Sequence, residues 1–194
     1  MFQVRIHGRG GQGVVSAAEM LSVAAFGEGR HAQAFPSFGS ERMGAPVMAF
    51  CRIDDREIRL REPVMEPDAL IIQDATLLHQ VDLFSGLAPG GYILINSTRS
   101  VEELGIGEFT ATFPPEHLCV VSATALALKH VGRPLPNAAL LGGFAAITGQ
   151  LGFESVANAI RRKFAGKVGE GNVAAARAAF DRVLTARAQE PAHA

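Results

Sequence analysis

Three glycines at G-x-G-x-x-G spacing lie between an alternating apolar run and a helical pattern. The segment reads Gly8-Arg9-Gly10-Gly11-Gln12-Gly13 and is called the glycine turn below. A strand, a glycine turn and a helix in this order present backbone N–H groups and the positive end of a helix dipole to a phosphate. Glycine is required where a side chain would keep the backbone away from the anion. The pattern predicts a phosphate-binding turn, and the alternative is a tight strand-to-helix turn that binds nothing.

A second loop, Ser37-Phe38-Gly39-Ser40-Glu41-Arg42-Met43-Gly44, follows the next predicted strand. Because it leaves the carboxyl end of that strand, we expect it beside the glycine turn, where open α/β sheets bind ligands. The hydroxyl groups of Ser37 and Ser40 and the guanidinium of Arg42 can bind a phosphate, with Arg9 as a second cation. Each arginine alone is typical of a solvated surface charge. The predicted anion site therefore depends on the two loops lying together.

Other chemistries lack the residues that they need. A nucleotide-dependent dehydrogenase has an acidic residue at the end of its second strand, whereas this chain has Gln33-Ala34-Phe35-Pro36-Ser37 there. There is no HExxH, GxxxxGK[ST] or GxSxG segment. Cys51 and Cys119 are far apart without CxxC spacing, so no zinc or iron–sulfur site is predicted. His7, beside the turn, is interpreted as a packed strand residue rather than a base.

Strands and helices alternate around the two loops. Strands are predicted at Phe2–His7, His31–Phe35, Val47–Ile53, Ala69–Gln73 and Tyr92–Ile95, with Ile58–Arg61 as a hairpin partner and Phe109–Phe113 as a candidate edge strand. Helices are predicted at Val14–Phe26, Asp74–Leu87, Thr124–Val131, Asn137–Gly149, Phe153–Phe164 and Asn172–Arg187, with Asn137 as an N-cap. This order predicts an α/β fold with a Rossmann-like, mostly parallel sheet flanked by helices, a small hairpin and a helical C-terminal part. We expect a single domain over residues 1–188 and a disordered tail over residues 189–194.

Composition excludes several classes of protein. The 194 residues carry a formal net charge of −1 with scattered basic residues, which argues against nucleic-acid or membrane-surface binding. No membrane span or signal peptide is predicted, so we expect a soluble, cytoplasmic protein. Apolar residues make up 48% of the chain, which suggests surface buried against other subunits. The helix from Ala138 to Ile147 is apolar all round, and either another subunit or the chain's own core must cover it.

Four segments together resemble the gamma subunit of 2-oxoacid:ferredoxin oxidoreductases. They are Gly8-Arg9-Gly10-Gly11-Gln12-Gly13-Val14-Val15, Phe35-Pro36-Ser37-Phe38-Gly39-Ser40-Glu41-Arg42-Met43-Gly44-Ala45-Pro46, Arg59-Leu60-Arg61-Glu62-Pro63 and Asn137-Ala138-Ala139-Leu140-Leu141-Gly142. The resemblance runs from Phe2 to about Val183, and the second segment is far more specific than the glycine turn. Met43 departs from the pattern, since many relatives carry a second basic residue there.

The resemblance implies a subunit rather than a self-sufficient enzyme. Such complexes contain alpha, beta, gamma and delta chains and convert a 2-oxoacid and coenzyme A into acyl-CoA and carbon dioxide, passing electrons to ferredoxin or NAD. Thiamine diphosphate, Mg²⁺ and four-iron four-sulfur clusters are then expected on the partner subunits. This chain would contribute to the coenzyme A pocket through Gly8 to Gly13 and Ser37 to Arg42, with Arg42 as the first charge partner and Arg9 as the second. No catalytic residue is expected in this chain, and the isolated chain is expected to be inactive.

Two other functions stay open at this point. One is a free-standing dinucleotide-binding reductase, which would bind NAD(P) or a flavin tightly on its own. The other is a non-catalytic scaffold subunit whose glycine turn binds nothing. The substrate 2-oxoacid, the electron acceptor and the subunit stoichiometry are not encoded in a recognisable form.

Overall fold

The computed structural model describes residues 1–37 and 43–189. The strands are β1 (Phe2–Arg9), β2 (His31–Pro36), β3 (Pro46–Asp54), β4 (Ala69–Ile72), β5 (Tyr92–Asn96) and β6 (Leu118–Val121). The helices are α1 (Val14–Gly27), α2 (Gly107–Thr110), α3 (Ala123–Val131), α4 (Asn137–Thr148), α5 (Phe153–Lys163) and α6 (Gly166–Gln189), with 3₁₀ turns at Ala75–His79 and Pro115–His117. The predicted tail lies, from residue 190 onward, outside the described residues. Among the described helices, none has the length and apolarity needed to cross a membrane.

The six strands form one mixed sheet in the order β2-β3-β1-β4-β5-β6. Strands β1, β4, β5 and β6 are parallel neighbours, and β3 lies antiparallel to both β1 and β2. The α/β fold with a mostly parallel sheet and a helical C-terminal part is thus confirmed. Strand β1, which leads into the glycine turn, lies between its antiparallel neighbour β3 and its parallel neighbour β4.

The two faces of the sheet are covered differently. On one face, Val4, Ile6 and Leu94 belong to a buried cluster that α1, α3, α4, α5 and α6 complete. On the other face, Ile72 and Ile95 pack against short, mostly irregular segments rather than long helices; the residues of those segments in the cluster are Leu77, Leu83, Leu104 and Ile106. Burial on both faces explains why the parallel strands have continuous apolar runs.

Helix α4 is covered by this chain itself. Its residues from Asn137 to Ile147 are all buried, and it packs against α6, α5, α3, α1 and strands β5 and β6. The all-round apolar pattern was compatible with a subunit interface or an internal core, and the structure assigns it to the core.

Two predicted strands are wrong. Residues Ile58–Arg61 form no strand, so the predicted hairpin with Val47–Ile53 does not exist. The reason is that β1 and β2 already occupy both edges of β3. Residues Phe109–Phe113 are not an edge strand, since helix α2 covers part of them and the edge strand beside β5 is Leu118–Val121. The predicted helix over Asp74–Leu87 reduces to the 3₁₀ turn Ala75–His79.

Candidate functional site

The glycine turn places the start of α1 at the carboxyl end of β1. Gly11 and Gly13 have φ angles of +92° and +72°, which a side chain would strain. Gly13 immediately precedes α1, and no side chain of the described residues caps the helix there. The first N–H groups of a helix have no partner within the helix and carry partial positive charge. The turn therefore presents uncapped amides at its surface, as the phosphate-binding prediction requires.

These amides border an open cleft of about 330 Å³, called the glycine-turn cleft below. Its lining residues are Arg9, Gly10, Gly11, Gly13, Val14, Val15, Ser16 and Val47. Apart from Arg9, these residues are glycine, serine or valine, so side chains take up little space in the cleft wall.

The Gln12 side chain fixes the shape of the turn from inside. Its Oε1 accepts a hydrogen bond of 2.8 Å from the backbone N–H of Arg9. Its Nε2 donates a hydrogen bond of 2.8 Å to Oδ2 of Asp74, which follows β4. Both ends of the amide are thus bonded within the chain, so Gln12 positions the turn rather than facing a ligand.

Arg9 connects the glycine turn to the segment that follows β4. Its guanidinium donates to Oγ1 of Thr76 at 2.7 Å and to Oε1 of Gln80 at 2.8 Å, and its Nε lies 3.3 Å from Oδ2 of Asp74. Burial works against ionisation of Asp74, but hydrogen bonds from Thr76 and Gln12 and the charge of Arg9 lower the pKa of that carboxyl group below its ordinary value. The Arg9 charge is consequently balanced within the chain.

The second loop returns to the glycine turn at its described end. The backbone N–H of Gly10 donates to the carbonyl of Ala45 at 2.9 Å, and that of Gly44 donates to the carbonyl of Gly10 at 3.1 Å. At the other end, the N–H of Ser37 donates to the carbonyl of Met48 at 2.8 Å. The two loops are thus neighbours where the structure describes them. The other predicted members of the site, Phe38, Gly39, Ser40, Glu41 and Arg42, lie outside the described residues.

Asn137 connects the glycine turn to the core but is not the predicted N-cap. Pro136 occupies the N-cap position of α4, and Asn137 is the first helical residue. Its Nδ2 donates to the carbonyl oxygen of Gly13 at 3.4 Å. A side chain at Gly13 would meet this amide, because its Cβ would lie 2.5 Å from Nδ2. The start of buried α4 therefore leaves no room for a side chain at Gly13, the residue before α1.

Three polar residues on the opposite face of the sheet were not predicted as a group. Arg5, His7 and Arg52 are all buried. Arg52 donates through Nη2 to the carbonyl of Glu62 at 2.6 Å and through Nε to Oε1 of Gln3 at 3.0 Å. Arg5 donates through Nη2 to the carbonyls of Leu83 and Ser85. The two arginines thus fasten irregular segments onto the sheet. The sequence feature that could have identified this group is the alternation that puts Arg5, His7 and Arg9 on one face of β1.

His7 is held in its neutral form. Its Nε2 accepts a hydrogen bond of 3.1 Å from Nε of Arg5, which leaves the ring proton on Nδ1. Burial and the nearby charge of Arg5 lower the pKa of His7 from 6.5 to about 3. The interpretation of His7 as a packed strand residue agrees with this environment.

The His7 environment predicts a loss of stability in mild acid. When the pKa of a histidine is lower in the folded state, the unfolded state binds the proton first as the pH falls, and this stabilises the unfolded chain. The stability present above pH 6.5 is therefore lost as the pH falls toward 3. Between pH 6.5 and 5 we expect the free energy of unfolding to fall by about 1.5 kcal/mol more in the wild-type chain than in His7→Gln, which retains an acceptor for Arg5. Urea unfolding at both pH values measures this difference. If the unfolding free energy fell by the same amount in both proteins between pH 6.5 and 5, His7 would not be a buried neutral histidine.

Comparisons with known proteins agree on one family. The family model described as pyruvate ferredoxin/flavodoxin oxidoreductase matches residues 3–182. The chain is 46% identical over 184 residues to the pyruvate/ketoisovalerate oxidoreductases common subunit gamma of Thermococcus kodakarensis, covering 95% of this chain and 98% of that protein. The crystal structure of pyruvate oxidoreductase subunit PORC from Thermotoga maritima superposes with a TM-score of 0.78 at 35% identity, covering 93% of this chain and 95% of that chain.

A more distant structure shares the fold alone. The 2-oxoglutarate:ferredoxin oxidoreductase from Magnetococcus marinus, solved with 2-oxoglutarate, coenzyme A and succinyl-CoA bound, superposes with a TM-score of 0.65 at 18% identity. The match covers 97% of this chain but 31% of that chain. The same fold thus occurs within a longer polypeptide in that enzyme.

Proposed function

The chain belongs to the pyruvate ferredoxin/flavodoxin oxidoreductase family, and on that premise we propose that its glycine-turn cleft receives the phosphates of coenzyme A. The chain is the gamma subunit of a pyruvate or 2-oxoacid ferredoxin oxidoreductase complex. We propose that alpha, beta and delta chains complete this complex and carry thiamine diphosphate, Mg²⁺ and four-iron four-sulfur clusters. The complex then joins the acyl group of a 2-oxoacid to coenzyme A, releases carbon dioxide and passes electrons to ferredoxin or NAD.

The uncapped start of α1 is the observation that carries the coenzyme A proposal. The cleft beside it combines helix amides, positive-φ glycines and little side-chain bulk, which together suit a diphosphate better than a neutral ligand. Coenzyme A is held in the 2-oxoglutarate enzyme that shares this fold. In this proposal the chain binds and orients coenzyme A, and the carbon–carbon bond chemistry belongs to the cofactor on the partner subunits.

We assign different tasks to the two arginines of the predicted site. Arg9 holds the glycine turn against Asp74 and Thr76, so its main effect on coenzyme A is through the position of the turn. Arg42 is proposed as the cation that faces the phosphates, together with the hydroxyl groups of Ser37 and Ser40. We therefore keep Arg42 as the first charge partner of the phosphates and Arg9 as the second, with Arg9 acting through the position of the turn.

The fold disfavours the dinucleotide-binding alternative. In dinucleotide-binding sheets the strand that follows the glycine turn lies next to the first strand and ends in an acidic residue. Here β3 separates β2 from β1, and β2 ends at Phe35-Pro36 before Ser37. The end of β2 therefore has no acidic residue for the ribose, and β2 does not lie next to β1, where that residue would have to be. Titration of the purified chain with NADH, followed by fluorescence, is expected to show no saturable binding.

An aspartate at Ser16 tests the cleft without weakening its helix. Ser16 lines the cleft in the first turn of α1, where a carboxylate stabilises the helix dipole but repels a phosphate. We expect Ser16→Asp in the assembled complex to raise the KM for coenzyme A at least about tenfold, equivalent to about 1.4 kcal/mol. The free energy of unfolding of the variant chain should be unchanged or higher.

Ser22→Asp provides the matched control, since Ser22 is a half-buried serine further along the same helix and does not line the cleft. Steady-state kinetics with saturating 2-oxoacid measure the KM for coenzyme A in both variants. An unchanged KM in Ser16→Asp, with normal assembly, would contradict the coenzyme A role and favour the scaffold alternative. A raised KM in both variants would mean that α1 as a whole, rather than the cleft, affects the enzyme.

A further inference from the structure

A second cavity, of about 500 Å³, lies on the face of the sheet opposite α1. Its floor is the sheet itself, where Met48 pairs with His7 and Phe50 pairs with Arg5 across β3 and β1. Its walls come from residues 63–65 and from residues 77–85. The lining residues, which define the sheet pocket, are Arg5, His7, Ser37, Pro46, Val47, Met48, Phe50, Pro63, Val64, Met65, Leu77, Val81, Asp82 and Ser85. Its volume suits a small ligand.

The sheet pocket is separate from the glycine-turn cleft. Among the described lining residues, the two share only Val47, and Ser37 lines the sheet pocket but not the cleft. Most of the sheet pocket wall is apolar, whereas the glycine-turn cleft is lined mainly by glycines and the first residues of α1. The proposed binding of coenzyme phosphates therefore leaves the sheet pocket without a function.

Arg5 brings a positive charge to the sheet pocket and forms no ion pair with the residues that the structure describes. Only 6% of Arg5 is exposed, and no carboxylate of the described chain lies within ion-pair distance of it. Its Nε and Nη2 donate to His7, Leu83 and Ser85, while Nη1 has no hydrogen-bond acceptor among the residues described. A buried cation with an unused donor favours an anion.

His7 adds a second donor next to Arg5. Since its Nε2 accepts from Arg5, its Nδ1 carries the ring proton, and that N–H has no acceptor in the described part of the chain. Because His7 is neutral, the pair carries one positive charge in total. Burial lowers the pKa of the Arg5 guanidinium, and the charge of Asp82 acts in the opposite direction. Asp82 is exposed at the margin of the pocket and lies beyond ion-pair distance of the guanidinium.

We propose that the sheet pocket binds a small monocarboxylate with an apolar chain. One net charge and the unused N–H donors of Arg5 and His7 match one carboxylate group, and the apolar walls match a hydrocarbon tail. A phosphate dianion is disfavoured, because it would be left with more acceptor oxygens than donors in a largely apolar site. This site adjoins the glycine-turn cleft at Val47 and takes a different chemical class of ligand.

Methionine methyl groups provide a local readout in the full chain. Of the five methionines, Met48 and Met65 line the sheet pocket, Met20 is buried in the core on the other face, and Met1 and Met43 lie elsewhere. With methyl-labelled methionine, isocaproate is expected to shift the Met48 and Met65 resonances in a saturable way and to leave Met20 unchanged. The neutral isostere isocaproamide should bind at least about tenfold more weakly, because charge-assisted hydrogen bonds are stronger than neutral ones.

Two variants separate binding from folding. Arg5→Leu should remove the preference for the acid over the amide. Because this change also frees the carbonyls of Leu83 and Ser85, Met65→Glu serves as a second test: Met65 is 70% exposed at the pocket, so the added charge should weaken isocaproate without affecting the core. Leu184→Glu, 44% exposed on α6, is the matched control and should bind like the wild-type chain.

The outcomes decide the proposal. Equal affinity for acid and amide in the wild-type chain, or no shift of Met48, would overturn it. In the assembled complex, equilibrium dialysis with labelled isocaproate should show more binding to the wild type than to Met65→Glu. If the two complexes bind equally while the isolated wild-type chain binds the acid, a partner side chain fills the pocket and the small-molecule assignment is wrong. Failure of the Ser16→Asp experiment would leave these measurements unaffected, so the two proposals fail separately.

Discussion

Gly142→Ala is expected to destabilise the chain by about 3 kcal/mol or more. Gly142 lies in the middle of α4, where it faces the backbone of α6. A Cβ atom there would overlap the carbonyl oxygen of Ala176 and would lie 2.6 Å from its carbonyl carbon and 2.8 Å from its Cα. Because Ala176 is fully buried within a 24-residue helix, the clash can be relieved only by moving α6 away from α4.

The adjacent glycine is the matched control for this prediction. The three atoms nearest to a Cβ at Gly143 would be side-chain ends, two of Leu94 at 3.2 and 3.4 Å and one of Val183 at 3.6 Å. Side-chain ends can adjust, and alanine is favoured over glycine in a helix by about 1 kcal/mol. We therefore expect Gly143→Ala to lie within about 1 kcal/mol of the wild type. Thermal and urea unfolding of both variants test the difference, and similar stabilities would disprove the close approach of α4 to α6.

The close contact of α4 with α6 also bears on the site. Helix α4 begins at Asn137, which touches Gly13, and it continues past Gly142 to α6. The position of the glycine turn is thus fixed from behind by a helix that is itself fixed by the C-terminal helix. A change at the α4–α6 contact is expected to reach the proposed coenzyme A cleft through Asn137, whereas the sheet pocket on the other face should be affected less.

Sequence patterns predicted the elements whose cause is local. Strand β1, the glycine turn and α1 are correct to within one or two residues, because alternation, turn glycines and helical spacing act over short distances. The error at Ile58–Arg61 has a nonlocal cause: whether Val47–Ile53 needs a hairpin partner depends on β1 and β2 already pairing with it. Strand β6 was missed for a similar reason, since its four residues become an edge strand only by pairing with β5.

The candidate site shows the same division. The closeness of the two loops followed from strand order, and hydrogen bonds between Gly10, Gly44 and Ala45 agree with it. The hydrogen bonds by which Gln12 and Arg9 hold the turn against the segment after β4 could not be predicted, because their partners Asp74 and Thr76 are more than sixty residues away. Likewise, Arg5 and Arg52 read as ordinary charges on alternating strands. Their burial depends on distant irregular segments whose carbonyl groups accept their hydrogen bonds.

Gly13→Ala is expected to affect both stability and the proposed coenzyme A site. Two costs combine at this position: the φ of +72° is unfavourable for alanine by about 1 kcal/mol, and the new Cβ would lie 2.5 Å from Nδ2 of Asn137. We expect a loss of about 2 to 4 kcal/mol in unfolding free energy. In the assembled complex the KM for coenzyme A should rise by at least about tenfold, because the first amides of α1 move with the turn.

A double-mutant cycle separates the two costs. Gly132, which ends α3, has a φ of +76°, and apart from its chain neighbours no atom of the described residues would lie within 4 Å of a Cβ there. Gly132→Ala should therefore show the backbone cost alone, about 1 kcal/mol. In Gly13→Ala/Asn137→Ala the contact with the amide is absent, and the remaining loss attributable to Gly13 should approach that of Gly132→Ala. If removing the Asn137 side chain rescued neither stability nor the KM for coenzyme A, α4 would not be what holds the glycine turn in place. Rescue of stability without rescue of the KM would instead mean that the proposed site needs the glycine itself, because the left-handed backbone sets the direction of the α1 amides.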